Sequence, residues 1–207
     1  MKEEIVIIGA GGHAKVCLEI FRSMGERVAY CVSDKSTFPQ CLGVPVLHGE
    51  HNLLQLRSQG YYRAFIGIGD NALRLTLAEQ AARYGYILVN AISPNAIISL
   101  TAQIGLGVAV MPGSVINADT LIGDLSIINT SASIDHDCYI GKAVHIGPHC
   151  ALAGNVIVGN YSFLGIGSKV IPRIKVGQGV TTGAGSVIIN DIESHTTVVG
   201  VPAKIIK

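Results

Sequence analysis

The first 90 residues alternate short apolar runs with stretches of helical periodicity. Ile5 to Ile8 is a continuous apolar run, the pattern of a strand covered on both faces. From Ala14 to Met24, apolar residues recur at helical spacing: Val16, Cys17, Ile20, Phe21 and Met24. Residues 28–32, 44–47 and 64–68 read as further strands. Residues 53–58 and 71–84 read as helices, and a short strand over 87–89 closes the segment. Strand and helix in alternation with short loops predict a parallel sheet with right-handed crossovers.

After residue 90 the period changes. From Ile92 to Ile188 every sixth position carries the same kind of side chain, and 16 of these 17 positions are Ile, Val or Leu, with Thr182 the exception. Two residues before each stands a small one in most repeats, as at Ser114, Ser126, Cys138, Cys150, Ser162 and Ser168. The next residue is often glycine. A period of six fits neither a helix nor a plain strand. It fits a chain that turns a corner every six residues and points one aliphatic side chain inward per face. Three faces make a coil of about 18 residues, the hexapeptide left-handed parallel β-helix. With coils stacked about 4.8 Å apart, residues 92–188 make a prism roughly 25 Å tall. The expected architecture is thus an α/β half-Rossmann domain over 1–90, followed by a left-handed β-helix over 91–207. The tail from Thr196 caps one end of the prism or packs outside it.

Composition narrows the function. Only 14% of residues are charged and the formal net charge is +1, from 15 basic and 14 acidic residues. A balance this even offers no electrostatic footprint for nucleic acid or an anionic membrane surface. Mean hydropathy is positive, yet no apolar run approaches the roughly 18 to 20 residues of a spanning helix. The opening MKEEIVIIGAGG has acids where a signal peptide carries bases. Five cysteines, odd in number and without a CxxC pair, fit a reduced, cytoplasmic protein.

Two motifs carry candidate chemistry. Gly9-Ala-Gly11-Gly12-His13-Ala14, between a strand and a helix, has dinucleotide-fingerprint spacing, with Asp34 about 20 residues on. Taken alone it points to NAD. About 90 residues, however, make only one mononucleotide half, and a UDP diphosphate can use the same helix N-terminus. Asp34 would then accept from a ribose hydroxyl or the uracil. Gly69, Asn71 and Arg74 come from a neighbouring strand end on the same carboxyl edge.

The second motif is Asp135-His136-Asp137, beside inward Ile134 and so near a corner. A histidine with a pKa near working pH can take the proton of an attacking amine, and a carboxylate on its other nitrogen fixes the tautomer. Asp137 is favoured over Asp135 as that carboxylate on strand alternation, with Asp135 left open. Gly154 stands 18 residues on, in the same place on the next coil, where its N–H could hold an oxyanion. His145 lies half a coil from His136, and a neighbouring subunit would bring it closer. Three histidines (136, 145 and 149) raise a γ-class carbonic anhydrase as a rival. The positions two coils away from His145 and His149 hold Ala109, Gly113, Thr181 and Gly185, so no zinc ligand stack forms and no metal is expected.

The chain resembles the hexapeptide-repeat acyltransferases with an N-terminal half-Rossmann domain. Within them it is similar to the nucleotide-aminosugar acetyltransferases of the PglD type and the sialic-acid O-acetyltransferases of the NeuD type. The resemblance rests on Gly9-Ala-Gly-Gly-His-Ala14, Gly67-Ile-Gly-Asp-Asn71 with Arg74, Asn129 to Cys138, Val144-His145, Ala153-Gly-Asn155 and Gly200-Val-Pro-Ala-Lys204. It implies a homotrimer with acetyl-CoA lying between neighbouring prisms. It implies His136 as general base and Gly154 as oxyanion donor, His13 facing the nucleotide sugar, and Asn129 near the acceptor. It places His145 near the sugar or CoA, and Ile166 and Ala184 along the pantetheine. The expected reaction is direct acetyl transfer to the 4-amine of a UDP-4-amino-4,6-dideoxy-N-acetylhexosamine, as in diacetylbacillosamine synthesis. O-acetylation of sialic acid and a catalytically idle nucleotide-binding subunit are the alternatives.

Overall fold

The computed structural model describes residues 2–35 and 38–207. They form two compact units that divide after Pro94. The first contains, in order, β1 (Lys2–Ile8), α1 (Gly12–Ser23), β2 (Val28–Val32), β3 (Gln40–Cys41), β4 (Val44–Leu47), α2 (His51–Ser58), β5 (Tyr61–Ile66), α3 (Asn71–Arg83) and β6 (Ile87–Leu88). The sheet order is β3-β4-β2-β1-β5-β6. β1 lies centrally between parallel partners β2 and β5, which is why Ile5 to Ile8 are all buried. Right-handed crossovers put α1 on one face and α2 and α3 on the other. Connections from β1 and β5 diverge, so the crevice at their carboxyl ends is the position where open α/β sheets bind ligands.

Two glycines make this edge possible. Gly9 has φ +123°, and a Cβ there would lie 2.8 Å from the Gly67 carbonyl oxygen. A Cβ on Gly67 would lie 2.9 Å from both Ala14 Cβ and Ile7 Cγ2, so glycine lets α1 pack directly on the end of β5. Strand β3 has no counterpart in the hydrophobic pattern. It pairs antiparallel with β4 through Leu42 (φ +47°) and Gly43 (φ +82°), and two residues are too few to show a period.

The second unit is the triangular prism. Its strands pair in parallel at a constant offset of 18, as in Val115↔Ser133, Ser133↔Ala151, Ala151↔Lys169 and Lys169↔Val187. Every inward position from Val110 to Ile188 is buried, Thr182 included. The corners repeat a backbone state that the hydrophobic pattern does not reveal. At six-residue steps from Gly107 to Gly185 the corner residue has positive φ, and nine of these, including Asp119, Asp137, His149 and Asn155, are not glycine. The small residues fit inside the corners, where Ser126 and Ser162 donate to the carbonyls of Gly141 and Gly177. Thr197–Val199 continues the stack on Thr181–Thr182, and Lys204–Ile205 folds back antiparallel against it. Among the described residues no helix is long and apolar enough to cross a membrane.

Candidate active site

His136 sits at a corner of the prism, immediately after Ile134-Asp135. The next residue, Asp137, has φ +57°, and this left-handed turn folds its side chain back beside the imidazole. His136 Nδ1 and Asp137 Oδ2 are 2.7 Å apart, and both side chains are 53% exposed. The contact comes from this left-handed turn and not from strand alternation, which does not hold at a corner. The hydrogen bond to Asp137, reinforced by the charges of both aspartates, holds the His136 pKa above its ordinary value despite some desolvation. Asp135 is occupied elsewhere: its Oδ1 accepts from Asn117 Nδ2 and from the His136 backbone N–H, both at 2.9 Å. Those bonds keep its carboxyl below the usual range. With Nδ1 facing a carboxylate, Nε2 is the nitrogen left to take a proton.

Gly154 lies against that same ring. A Cβ built on it would stand 2.6 Å from both Cε1 and Nε2 of His136, so the ring occupies the space a side chain would need. The N–H groups on either side of Gly154 are tied into the stack, with Ala153 N–H donating to the Val170 carbonyl and Asn155 N–H to the His136 carbonyl. The Gly154 N–H itself makes no hydrogen bond among the described residues. Cys138, the residue after Asp137, is buried, and its thiol donates toward the Ala153 carbonyl at 3.3 Å. Burial raises its pKa, as it does for Cys17 and Cys31, both pushed up to about 12. None of these three thiols is prepared as a nucleophile.

The resemblance treats Asn129 and His145 separately, and the structure joins them. Asn129 Nδ2 and His145 Nε2 are 2.9 Å apart, and the imidazole rests edge-on against Phe163, with centroids 5.1 Å apart. Asn129 Oδ1 also accepts from Thr130 N–H. Ile166 and Ala184 are 18 residues apart and therefore stacked; the Ile166 side chain is exposed, and its carbonyl accepts from Gly185 N–H.

In the first unit, α1 begins at Gly12 with Gly11 as its cap, no side-chain cap and no acid in its first turn. Its N-terminal N–H groups and dipole thus face open space suited to an anion. Ideal Cβ atoms on Gly11, Gly12 and Gly69 would meet nothing within 4 Å. A cavity of about 450 Å³ opens there, lined by Gly11, Gly12, Lys15, Ser33, Lys35 and Phe38. A second, of about 150 Å³, is lined by Gly9, Asp34, Glu50 and apolar side chains of β1, β2, α2 and α3. Asp34 Oδ1 accepts from Gly49 N–H at 2.6 Å, fixing the carboxylate at the end of β2. His13, in the first turn of α1, has Nε2 3.6 Å from Cys17 Sγ.

Arg74 departs from expectation. It is 1% exposed, and its guanidinium donates to the carbonyls of Ile68 and Gly69 and to Asn71 Oδ1. It braces the turn between β5 and α3, which Asp70 caps through Leu73 N–H, rather than presenting its charge to a ligand. Lys15, Lys35 and Glu50 line the cavities and belong to no motif of the sequence. Lys15 alone has a readable signal, its place in the first turn after the glycines. Among the described residues no group of three or more His, Cys, Asp or Glu side chains could hold a metal ion.

The PglD N-terminal domain family matches residues 4–81. A histidine-to-asparagine mutant of perosamine N-acetyltransferase from Caulobacter crescentus, solved with CoA and GDP-perosamine, is 50% identical, with a TM-score of 0.96 over 99% of this chain and 97% of that one. The acetyltransferase domain of PglB from Neisseria gonorrhoeae, in complex with acetyl coenzyme A, is 37% identical, with a TM-score of 0.92 over the full length of both. Curated relatives match over less. The chain spans 24% of uncharacterized protein L142 of Acanthamoeba polyphaga mimivirus, at 30% identity over 124 residues. It spans 15% of a serine acetyltransferase of Buchnera aphidicola, at 59% over 39 residues. With a PglD-type first unit, a left-handed hexapeptide prism and near-complete overlap with two such enzymes, the chain belongs to the PglD-type hexapeptide-repeat sugar N-acetyltransferases.

Proposed function

We propose that the protein transfers the acetyl group of acetyl-CoA to the 4-amine of a nucleotide-activated 4-amino-4,6-dideoxyhexose, with GDP-perosamine as its preferred acceptor. The observation that carries this reading is the 50% identity, over 99% of the chain, to an enzyme solved with CoA and GDP-perosamine. The UDP-4-amino-N-acetylhexosamine expected from sequence is the second reading, favoured by the PglD match over residues 4–81 and the PglB likeness.

In this reading the diphosphate is held at the α1 N-terminus by the Gly11–Gly12 backbone and Lys15, and Asp34 accepts from the ribose. The neutral amine attacks the thioester carbonyl while His136 Nε2 takes its proton. Asp137 supports the imidazolium through Nδ1. Gly154 N–H donates to the oxyanion of the tetrahedral intermediate. Collapse breaks the carbon–sulfur bond, and the departing thiolate recovers the proton from His136, leaving an amide and free CoA. Ile166 and Ala184 line the pantetheine, and the Asn129–His145 pair orients the acceptor beside it. The enzyme is a homotrimer with acetyl-CoA between neighbouring prisms. An outward ladder of Leu121, Tyr139 and Ile157, which are 39%, 47% and 40% exposed at 18-residue spacing, supports an apolar flank of this kind.

The test is to mix the enzyme with acetyl-CoA and, separately, GDP-perosamine, a UDP-4-amino-4,6-dideoxy-N-acetylhexosamine and CMP-sialate, following thiol release and identifying products by NMR. The expected result is an amide at C4 with the highest kcat/KM for GDP-perosamine. An ester on sialate as the main product would overturn it.

A further inference from the structure

The smaller cavity of the first unit has a chemistry of its own. Its walls are Ile8, Val32, Leu53, Ile68, Leu73 and Leu77, an apolar slot of about 150 Å³. It shares Ser33 and Lys35 with the larger cavity at the α1 N-terminus, so a ligand with its diphosphate in one reaches the other past the end of β2. Polar groups stand at the slot's rim, among them Glu50, at the cap position of α2, and Gln80 of α3. Gln80 Nε2 donates to Glu50 Oε2 at 2.7 Å and lies 3.2 Å from Tyr84 OH, which fixes the carboxylate in place across two helices. Glu50 Oε1 makes no hydrogen bond among the described residues.

We propose that this slot takes the nucleobase and that Glu50 selects guanine. The proposal rests on the reading that a nucleotide-activated sugar is the acceptor. An apolar slot accepts the faces of any base, so its rim must discriminate. Guanine presents two adjacent donors, N1–H and the N2 amino group, that match the two oxygens of a carboxylate. Uracil offers one N–H between two carbonyl oxygens, which a carboxylate repels. Adenine presents an acceptor at N1, with the same result. Hypoxanthine keeps N1–H and lacks the amino group, so it isolates half of the contact. Glu50 is exposed, so water takes any oxygen the base leaves unused, and discrimination rests on the two contacts guanine gains and on the repulsion that the carbonyl oxygens of uracil and the N1 lone pair of adenine meet.

Isothermal titration of the full chain with GDP, IDP and UDP reads this directly. The wild type binds GDP about ten- to a hundredfold more tightly than UDP, with IDP between them. Glu50→Gln weakens GDP by about tenfold, brings the GDP-to-IDP ratio towards one and leaves UDP unchanged. Gln80→Ala, which removes the brace but keeps the carboxylate, retains a preference for GDP over IDP. Equal melting temperatures for wild type and Glu50→Gln exclude misfolding as the cause. Wild-type affinity for UDP at or above that for GDP, or an unchanged GDP-to-IDP ratio in Glu50→Gln, overturns the proposal. Acetyl transfer to GDP-perosamine is measured alongside. Transfer without Glu50-dependent base preference sinks the base assignment alone, whereas Glu50-dependent GDP binding without transfer to any aminosugar upholds the slot and removes the acceptor reading.

Discussion

Gly154 lies one coil beyond His136 and gives the imidazole its place: a Cβ on Gly154 would stand 2.6 Å from the ring's Cε1 and Nε2. The glycine leaves room for the histidine and offers an N–H that no acceptor in the described residues takes. In the proposed reaction this one position supplies both the room for the base and the oxyanion donor.

Gly154→Ala should therefore act on the reaction and not on the fold. Its backbone is not in the positive-φ region, and the obstructed atoms belong to a side chain that can swing away. Displacing the ring breaks its pairing with Asp137. We expect kcat to fall about 10- to 100-fold, the usual cost of an ångström-scale misplacement. Melting temperature should stay near wild type, and a full-rate variant would show that the contact has no catalytic role.

The pH profile follows from the raised His136 pKa. The active form is the neutral imidazole, so kcat/KM should climb with pH through an ionisation above the ordinary histidine value of about 6.5. Asp137 is the largest cause of the shift. Asp137→Asn should therefore move that limb to lower pH while lowering the plateau. The amine's own ionisation contributes equally in both enzymes. A limb that stays put or moves up would separate Asp137 from the base.

Gly9 and Gly11 should behave oppositely. Gly9→Ala places a side chain at φ +123° against a backbone oxygen and should cost roughly 1–3 kcal/mol of stability, read by thermal denaturation. Gly11→Ala points into open space and should cost no more than about 0.5 kcal/mol. Its methyl group would stand where the diphosphate approaches, raising the sugar-nucleotide KM about tenfold with the acetyl-CoA KM unchanged. Similar melting and similar KM changes in both variants would contradict this division.

The oligomer is checked by light scattering. The expected mass is about three times the 21.7 kDa of one chain. Tyr139→Glu, which puts a charge on the exposed ladder, should weaken assembly if that flank is the contact. A stable monomer with full activity would remove the shared acetyl-CoA site.

The prism is legible in the sequence almost whole, because a strict six-residue period with Ile, Val or Leu inward has one geometric solution. The first-unit strands and helices are also legible, with boundaries off by a few residues: β1 starts at Lys2 rather than Ile5, and the strand expected at 64–68 runs over Tyr61–Ile66. What stays hidden is side-chain direction. Asp137 reaches His136 only because its φ is positive, a backbone state that hydrophobic spacing does not encode. Asn129 and His145 are 16 residues apart, and only the stacking of coils makes them partners. Arg74 reads as a ligand donor because it follows a glycine turn at the carboxyl edge of the sheet. Its burial under that turn is a tertiary fact.

The most direct measurement is kcat for His136→Ala with acetyl-CoA and GDP-perosamine at saturating concentrations of both. Loss of a general base predicts a fall of about 10²- to 10⁴-fold, with KM for both substrates near wild type, since His136 handles a proton and anchors neither ligand. A His136→Ala enzyme that keeps most of its kcat while still forming the C4 amide would contradict the account.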